Sequence, residues 1–216
     1  MLAQRTLYRL LLLLLLISPT ALLAEAVKAD GRANYLTWRA KQVPQAQLQE
    51  MAFGGHLYAM IALGNCYLTG RDGKLTCDQI SIETGLAMWE RALKGGELWL
   101  ADDLLNVLIQ GPVNHRGGWT QNWPTLCRVA ERVRKKGLFT TLDARKQSLI
   151  AHCYLTEHVT QTDPTFAIST LEKLGREGSK QAALLLAEIF AKGLYGFEAD
   201  PRISKQWQSH ADTIMR

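Results

Sequence analysis

The apolar residues of this chain recur at helical spacing after regularly placed glycines. After Gly55, Gly96 and Gly178, apolar or small residues follow at offsets of 4, 8, 9 and 12. These offsets place them on one stripe of an α-helix. A further copy follows Gly137 and is shifted five residues later; its stripe residues are Ile150, Ala151 and Tyr154.

The segments that precede three of these glycines resemble one another. They read ERALKGG, ERVRKKG and EKLGREG, and their closing glycines are 41 residues apart, as are Gly55 and Gly96. Basic residues in a last turn, followed by a glycine that takes the left-handed conformation, are typical of a helix C-terminus. The pattern therefore predicts an internal repeat with a period of 41 residues.

Each repeat is predicted to be a pair of helices, A and B. The predicted A helices cover 56–69, 97–110, 142–156 and 179–192. The predicted B helices cover 81–95, 122–136, 163–177 and 201–215. Asp163 before Pro164 and Asp200 before Pro201 are suitable N-caps for the last two B helices. No stretch alternates as a strand does, so no strand is expected.

The predicted fold is all-α, because a single helix pair cannot bury its apolar face alone and the pairs must stack. We expect an α-solenoid of about four stacked antiparallel pairs over residues 55–216. Residues 27–54 are expected to form an N-terminal capping region of one or two helices, separated at Pro44.

The first 26 residues read as a secretory signal peptide. Arg5 and Arg9 precede an apolar run, and small residues follow with cleavage sites near Ala24 or Ala26. The alternative is an uncleaved N-terminal anchor. Cleavage would leave a periplasmic protein without an integral membrane span, since no later stretch reaches 18 apolar residues.

The mature chain is mildly basic, with 23 basic and 19 acidic residues after removal of the signal peptide. The basic residues are scattered, and the one tight cluster, at 132–136, lies at a predicted helix C-terminus. We therefore expect no nucleic-acid partner.

Two segments resemble the Sel1-like repeats, which are relatives of the tetratricopeptide repeat. AMIALGNCYLTG, at 59–70, follows the pattern A-x-x-x-L-G-x-x-Y-x-x-G, and TGLAMWERALKGG, at 84–96, resembles its second helix. A third stretch, at 182–211, also matches, whereas Leu105 and Glu157 replace expected glycines in the degenerate middle repeats. The resemblance implies a helical scaffold that binds another protein.

Four cysteines in an exported chain predict disulfide bonds. Cys66 and Cys77 flank the loop inside the first helix pair, and Cys127 and Cys153 lie side by side if B2 and A3 run antiparallel. Among the three possible pairings, these positions favour Cys66–Cys77 and Cys127–Cys153.

No motif for catalysis, metal binding or cofactor binding is present in the sequence. There is no C-x-x-C, no H-E-x-x-H, no P-loop, no G-x-S-x-G and no dinucleotide fingerprint. We therefore expect neither a catalytic residue, nor a bound metal, nor a cofactor, and we expect a protein that is not an enzyme.

Partner binding is expected at A-helix positions off the apolar stripe and in the long loop 111–124. Loops on rigid scaffolds often carry binding, and tryptophan is frequent at binding hot spots. The alternative for the loop tryptophans is that they pack back against the stack. The candidates are His56, Trp99, Asp103, Asn106, Trp119, Trp123 and Glu188.

Three functions follow from the resemblance. The most specific is an immunity or inhibitor protein that neutralises a secreted antibacterial effector of the type VI lipase type. The second is an envelope scaffold for motor or surface-structure assembly. The third is a cell-wall or β-lactam hydrolase.

Overall fold

A computed structural model of the chain describes residues 31–77, 80–111 and 122–214. The described residues hold ten α-helices and one small β-hairpin. The chain divides into two compact units, Met1–Trp119 (unit 1) and Thr120–Arg216 (unit 2). The predicted signal peptide and Trp119 lie outside the described residues.

Unit 1 contains five described helices. Residues 31–39 form α1, and Pro44 separates it from α2 (Gln45–Phe53). The first pair is α3 (Leu57–Thr69) and α4 (Ile82–Lys94), and α5 (Leu100–Gln110) follows. Two helices therefore precede the first pair, where one or two were predicted.

Unit 2 contains five helices and one turn of 3₁₀-helix. The helices are α6 (Trp123–Lys135), α7 (Ala144–Cys153), α8 (Pro164–Arg176), α9 (Lys180–Lys192) and α10 (Pro201–Thr213). The 3₁₀ turn covers Phe139–Thr141. Asp163 and Asp200 are N-caps as predicted, because each accepts a hydrogen bond from a backbone N–H group in the first turn of its helix.

The repeated glycines close the helices as predicted. Gly55, Gly96, Gly137 and Gly178 take φ values of 96°, 119°, 70° and 98°. A Cβ at any of the four would meet nothing within 4 Å. Backbone conformation therefore explains the glycine at these positions, and close packing does not.

The helices of each unit pack as stacked pairs around apolar stripes, which confirms the all-α prediction. In the first pair, a Cβ on Gly85 would lie 2.6 Å from Leu68 Cγ, and one on Gly64 would meet the Trp89 ring. These two glycines let the antiparallel helices approach closely. The stripe residues Leu63, Leu104, Ile150 and Leu186 are fully buried.

Two predicted helices extend three residues beyond the observed ones at one end. Helix α5 begins at Leu100 because Leu98 N–H bonds to Gly96 and Leu100 N–H to Glu97, which are turns. Helix α7 ends at Cys153 because the N–H groups of Leu155 and Thr156 bond three residues back. The segment NCYLTG, at 65–70, therefore lies inside a helix up to Thr69, whereas the similar segment HCYLTE, at 152–157, crosses a helix end.

The expectation that the chain has no strand is wrong at one place. Strands β1 (Arg71–Asp72) and β2 (Leu75–Thr76) pair antiparallel, with Arg71 opposite Thr76 and Asp72 opposite Leu75. Each strand has only two residues, which is too short to show alternation in the sequence.

Both predicted disulfides are confirmed. Cys66–Cys77 joins the end of α3 to the residue after β2, with a Cα–Cα distance of 5.6 Å. Cys127–Cys153 joins α6 to α7 at 5.2 Å. None of the described helices is long and apolar enough to cross a membrane.

Candidate functional site

Helix α1 covers the A-helix side of unit 1. Its Tyr35 ring lies 5.6 Å from the Trp99 ring and 6.0 Å from the Tyr58 ring, measured between centroids. Its Trp38 ring lies 5.2 Å from the imidazole of His56. We name these five residues the unit 1 cluster.

A buried polar network fastens α1 to the hairpin. The Tyr35 hydroxyl donates to Asp72 Oδ2 at 2.6 Å, and the Asn65 amide donates to Asp72 Oδ1 at 2.9 Å. The Arg39 guanidinium donates to the same Oδ1 at 3.0 Å. Burial, followed by the neighbouring Asp72 carboxylate, raises the pKa of Tyr35 far above its usual value. The hydroxyl therefore stays a donor at any physiological pH.

The partner-binding candidates of unit 1 make contacts with other residues of the same unit. Trp99 is 7% exposed and its Nε1 donates to Glu97, while Asp103 pairs with Arg32 of α1 at 3.6 Å. His56 caps α3 by accepting from the Ala59 N–H, and Asn106 donates to Asp102 at 3.5 Å. The structure thus brings His56 and Trp99 into one cluster, beneath α1.

In unit 2, Trp123 and Glu188 lie near His152, which was not among the binding residues predicted from the sequence. The His152 ring lies 5.1 Å from Trp123 and 5.7 Å from Tyr195, edge to face in both cases. His152 Nε2 and the Tyr195 hydroxyl share a hydrogen bond of 2.6 Å. Glu188 is exposed on α9 and accepts from Lys192 at 2.7 Å.

Burial favours the neutral form of the His152 imidazole. Burial lowers its pKa, and the negative charge of Glu188 opposes that shift only in part. Burial and then Glu188 raise the pKa of Tyr195. The pair is therefore an uncharged aromatic patch beside one exposed carboxylate.

Two neighbours extend this patch. Leu184 lies one helical turn before Glu188 and is 38% exposed. A groove of about 400 Å³ runs between α9 and α10 and is lined by Leu184, Glu188 and Lys205, among others. We name Trp123, His152, Leu184, Glu188 and Tyr195 the unit 2 surface.

Tyr195 also carries an unusual backbone conformation. Within the described residues, Gln42 and Tyr195 are the non-glycine residues with positive φ, at 52° and 57°. A bulky side chain in the left-handed region is uncommon, and it persists only where surrounding contacts hold it. Tyr195 was not among the residues predicted from the sequence, although its place between Gly193 and Gly196 indicates a turn.

Another group of contacts, made by Arg134 in the last turn of α6, stabilises unit 2. Arg134 donates to Asp163 at 2.8 Å and its guanidinium lies 3.7 Å from the Phe166 ring centroid. The Phe166 N–H, and then Arg134, hold the pKa of Asp163 below its usual range. Among the described residues, no group of three or more His, Cys, Asp or Glu side chains could hold a metal ion.

Comparisons with known proteins found likenesses among solved structures. No protein-family model and no curated protein matches this chain. A Sel1 repeat protein from Oxalobacter formigenes is 20% identical with a TM-score of 0.38, over 77% of this chain and 61% of its own. A protective antigen of uropathogenic Escherichia coli strains, displaying an SLR fold, is 17% identical with a TM-score of 0.42, over 79% and 33%. The chain thus spans less than two thirds of either protein.

Proposed function

We propose that this chain is a Sel1-like repeat protein that binds another protein through the unit 2 surface. The observation that carries the proposal is Tyr195, an aromatic residue that is 37% exposed and held in the left-handed region. Strained conformations cluster at ligand clamps and binding sites, where they hold a side chain in a fixed position. Here the left-handed backbone conformation places an exposed ring against His152.

The composition of the surface supports binding to a protein. Trp and Tyr contribute large contact areas with few rotatable bonds and dominate interface hot spots. Trp123 and Tyr195 flank His152, and Leu184 adds an exposed aliphatic group. Glu188 and Lys205 supply both signs of charge at the edge of the groove. A partner with an apolar anchor and a polar rim would fit this arrangement.

A binding role is proposed in preference to a catalytic one. All four cysteines are paired, so the chain holds no free thiol to act as a nucleophile. The imidazole of His152 contacts two aromatic rings and a phenol hydroxyl, which is a packing environment. This arrangement supports recognition.

The proposed compartment is the periplasm. Two disulfide bonds indicate an oxidising compartment outside the cytosol. The signal peptide expected at 1–26 would deliver the chain there.

The specific form of the proposal is an immunity protein that neutralises a secreted antibacterial lipase effector. Its support is the resemblance to exported Sel1-like proteins of this size, and it is a fold-level analogy. The unit 2 surface is the region that we propose covers the effector.

The test is a pull-down with the oxidised mature protein as bait, from an envelope extract and from a lysate that expresses the neighbouring genes. Bait carrying Trp123→Ala and Tyr195→Ala should lose the captured partner. Bait carrying Phe53→Ser should keep it, because Phe53 is 72% exposed and lies in unit 1. The captured protein would then be purified and assayed for lipase activity with and without an equimolar amount of bait.

The immunity proposal would be supported if the wild-type bait inhibits a captured lipase and the double variant does not. A partner that the double variant retains would contradict the assignment to the unit 2 surface. Specific capture of motor or assembly components instead would favour the scaffold alternative.

A further inference from the structure

A second cavity lies in unit 1, apart from the unit 2 surface. It has a volume of about 250 Å³ and opens between the end of α1, the start of α2 and the hairpin. Its apolar lining includes Trp38, Pro44, Leu48 and Leu75, and its polar lining includes Arg39 and Lys74. None of its lining residues was among the partner-binding candidates predicted from the sequence.

The size of the cavity limits its occupant. Sites for drug-sized ligands measure roughly 300–1,000 Å³, whereas a dry cavity of about 150 Å³ accepts benzene. A volume of about 250 Å³ therefore suits one apolar side chain of the size of leucine or phenylalanine.

The charges at the cavity favour an anion. Asp72 is 5% exposed, and its two oxygens already accept from Tyr35, Arg39 and Asn65, so its charge is satisfied internally. The same contact fixes the Arg39 guanidinium, whose side chain is 37% exposed. Lys74 is exposed and forms no ion pair within the described residues. Within the described residues, the positive charge of Lys74 at the rim of the cavity therefore has no carboxylate partner.

We propose that this cavity binds the C-terminal residue of a polypeptide, with the apolar side chain inside and the free carboxylate between Arg39 and Lys74. A guanidinium held by a buried carboxylate is a preorganised donor for a second carboxylate. A lone amino acid would gain little from so small a cavity, whereas a polypeptide end adds backbone contacts outside it. The inference does not rest on the unit 2 surface.

Two features hold the cavity in shape. Asp72, Lys74 and Leu75 lie inside the loop that the Cys66–Cys77 disulfide closes. Gln42, at φ 52°, turns the chain after α1 so that Val43 and Pro44 form one wall. The two non-glycine residues with positive φ in the described chain thus lie one at each proposed site.

The test uses a short glycine–serine peptide that ends in phenylalanine with a free carboxylate, and the same peptide as its C-terminal amide. Binding is followed by NMR through the indole N–H of Trp38, which a Trp38→Phe variant assigns. The free acid should bind at least about tenfold more tightly than the amide, the usual effect of a charge-assisted hydrogen bond.

Charge and disulfide variants supply the matched controls. Lys74→Glu should weaken binding of the free acid about tenfold, whereas Lys94→Glu, exposed on α4 outside the cavity, should leave it unchanged. Loss of the first disulfide, by Cys66→Ala with Cys77→Ala, should weaken binding. Loss of the second, by Cys127→Ala with Cys153→Ala, should not.

Equal binding of acid and amide, or an unchanged affinity in Lys74→Glu, would overturn the proposal. Absence of any Trp38 shift at millimolar peptide would overturn it as well. If N-acetyl-phenylalanine bound as tightly as the peptide, the ligand would be a small free carboxylate, and the proposal of a polypeptide end would be wrong. A failure of these tests leaves the pull-down on the unit 2 surface unaffected.

Discussion

Both units are built from helix pairs, but their A-helix faces differ in exposure. In unit 1, α1 lies on this face and buries Trp99, and Tyr35 bonds to Asp72 beside it. In unit 2, Leu184 and Tyr195 remain exposed on the corresponding helix and the loop after it. A surface that one unit uses for its own packing is therefore available for a partner in the other.

The difference changes how candidate residues are interpreted. An aromatic residue on an A helix is a core residue where another helix covers it, and a binding residue where it stays exposed. Trp99 is covered in this way, whereas Trp123, at the start of α6, is half-buried, although both were partner-binding candidates from the sequence. Equivalent substitutions in the two units can therefore separate the roles.

The largest expected difference is between the two tryptophans. Trp99→Ala should cost unit 1 about 3–5 kcal/mol of unfolding free energy, the usual effect of emptying a buried aromatic site. Trp123→Ala should cost unit 2 only about 1 kcal/mol, because it removes one edge-to-face contact with His152. Native-state hydrogen exchange at core amides, such as those of Leu63 and Ile150, measures each unit separately. Equal losses would mean that the two faces do not differ.

The disulfides come next. In the loop-closure model, removing Cys127–Cys153, with a sequence separation of 26, should cost about 3.5 kcal/mol. Removing Cys66–Cys77, with a separation of 11, should cost about 2.8 kcal/mol. Paired alanine variants and urea unfolding test this order. A larger loss for the shorter loop would show that the polar network of unit 1 depends on its disulfide.

The two tyrosine hydroxyls should differ by a smaller amount. Tyr35→Phe leaves the buried Asp72 carboxylate without one donor and should cost about 1–3 kcal/mol. Tyr195→Phe removes a hydrogen bond at the surface and should stay within about 0.5 kcal/mol. Thermal and urea unfolding of both variants provide the comparison. An unchanged stability of Tyr35→Phe would mean that the Tyr35–Asp72 hydrogen bond adds nothing to the attachment of α1.

The smallest expected effect is the pH dependence due to His152. Its pKa is lowered in the folded state, so below its usual value near 6.5 the unfolded chain binds a proton that the folded chain does not. The stability contributed by neutral His152 is therefore complete above about pH 6.5 and is lost as the pH falls toward the folded pKa. Urea unfolding between neutral and mildly acidic pH should show a shallower loss for His152→Gln than for the wild type. Identical slopes would contradict this.

Much of the fold could be predicted because its signals are local. The glycines at 41-residue spacing, the apolar stripes and the Asp–Pro caps each act within a few residues of their own helix. They placed eight helices to within about three residues at each end. The hairpin was missed because two-residue strands leave no pattern. The end of α7 was predicted three residues too late because Glu157 replaces the glycine that follows the other three A helices.

The sites were predicted less well, for a physical reason. The contact of His152 with Tyr195 joins residues 43 apart, and that of Tyr35 with Asp72 joins residues 37 apart. No periodicity records such a contact, because it depends on how one helix pair lies on another. Trp123 was identified by its residue type, whereas no motif in the sequence singled out its neighbour His152.

The sequence by itself determined the helix pairs, their period and the pairing of the cysteines, because glycine conformation, apolar spacing and chain direction act locally. Only the tertiary structure decided which aromatic residues are covered and which are exposed. It placed α1 over Trp99 and left Tyr195 at the surface. Exposure is a property of packed neighbours, and those neighbours are assembled only when distant segments fold together.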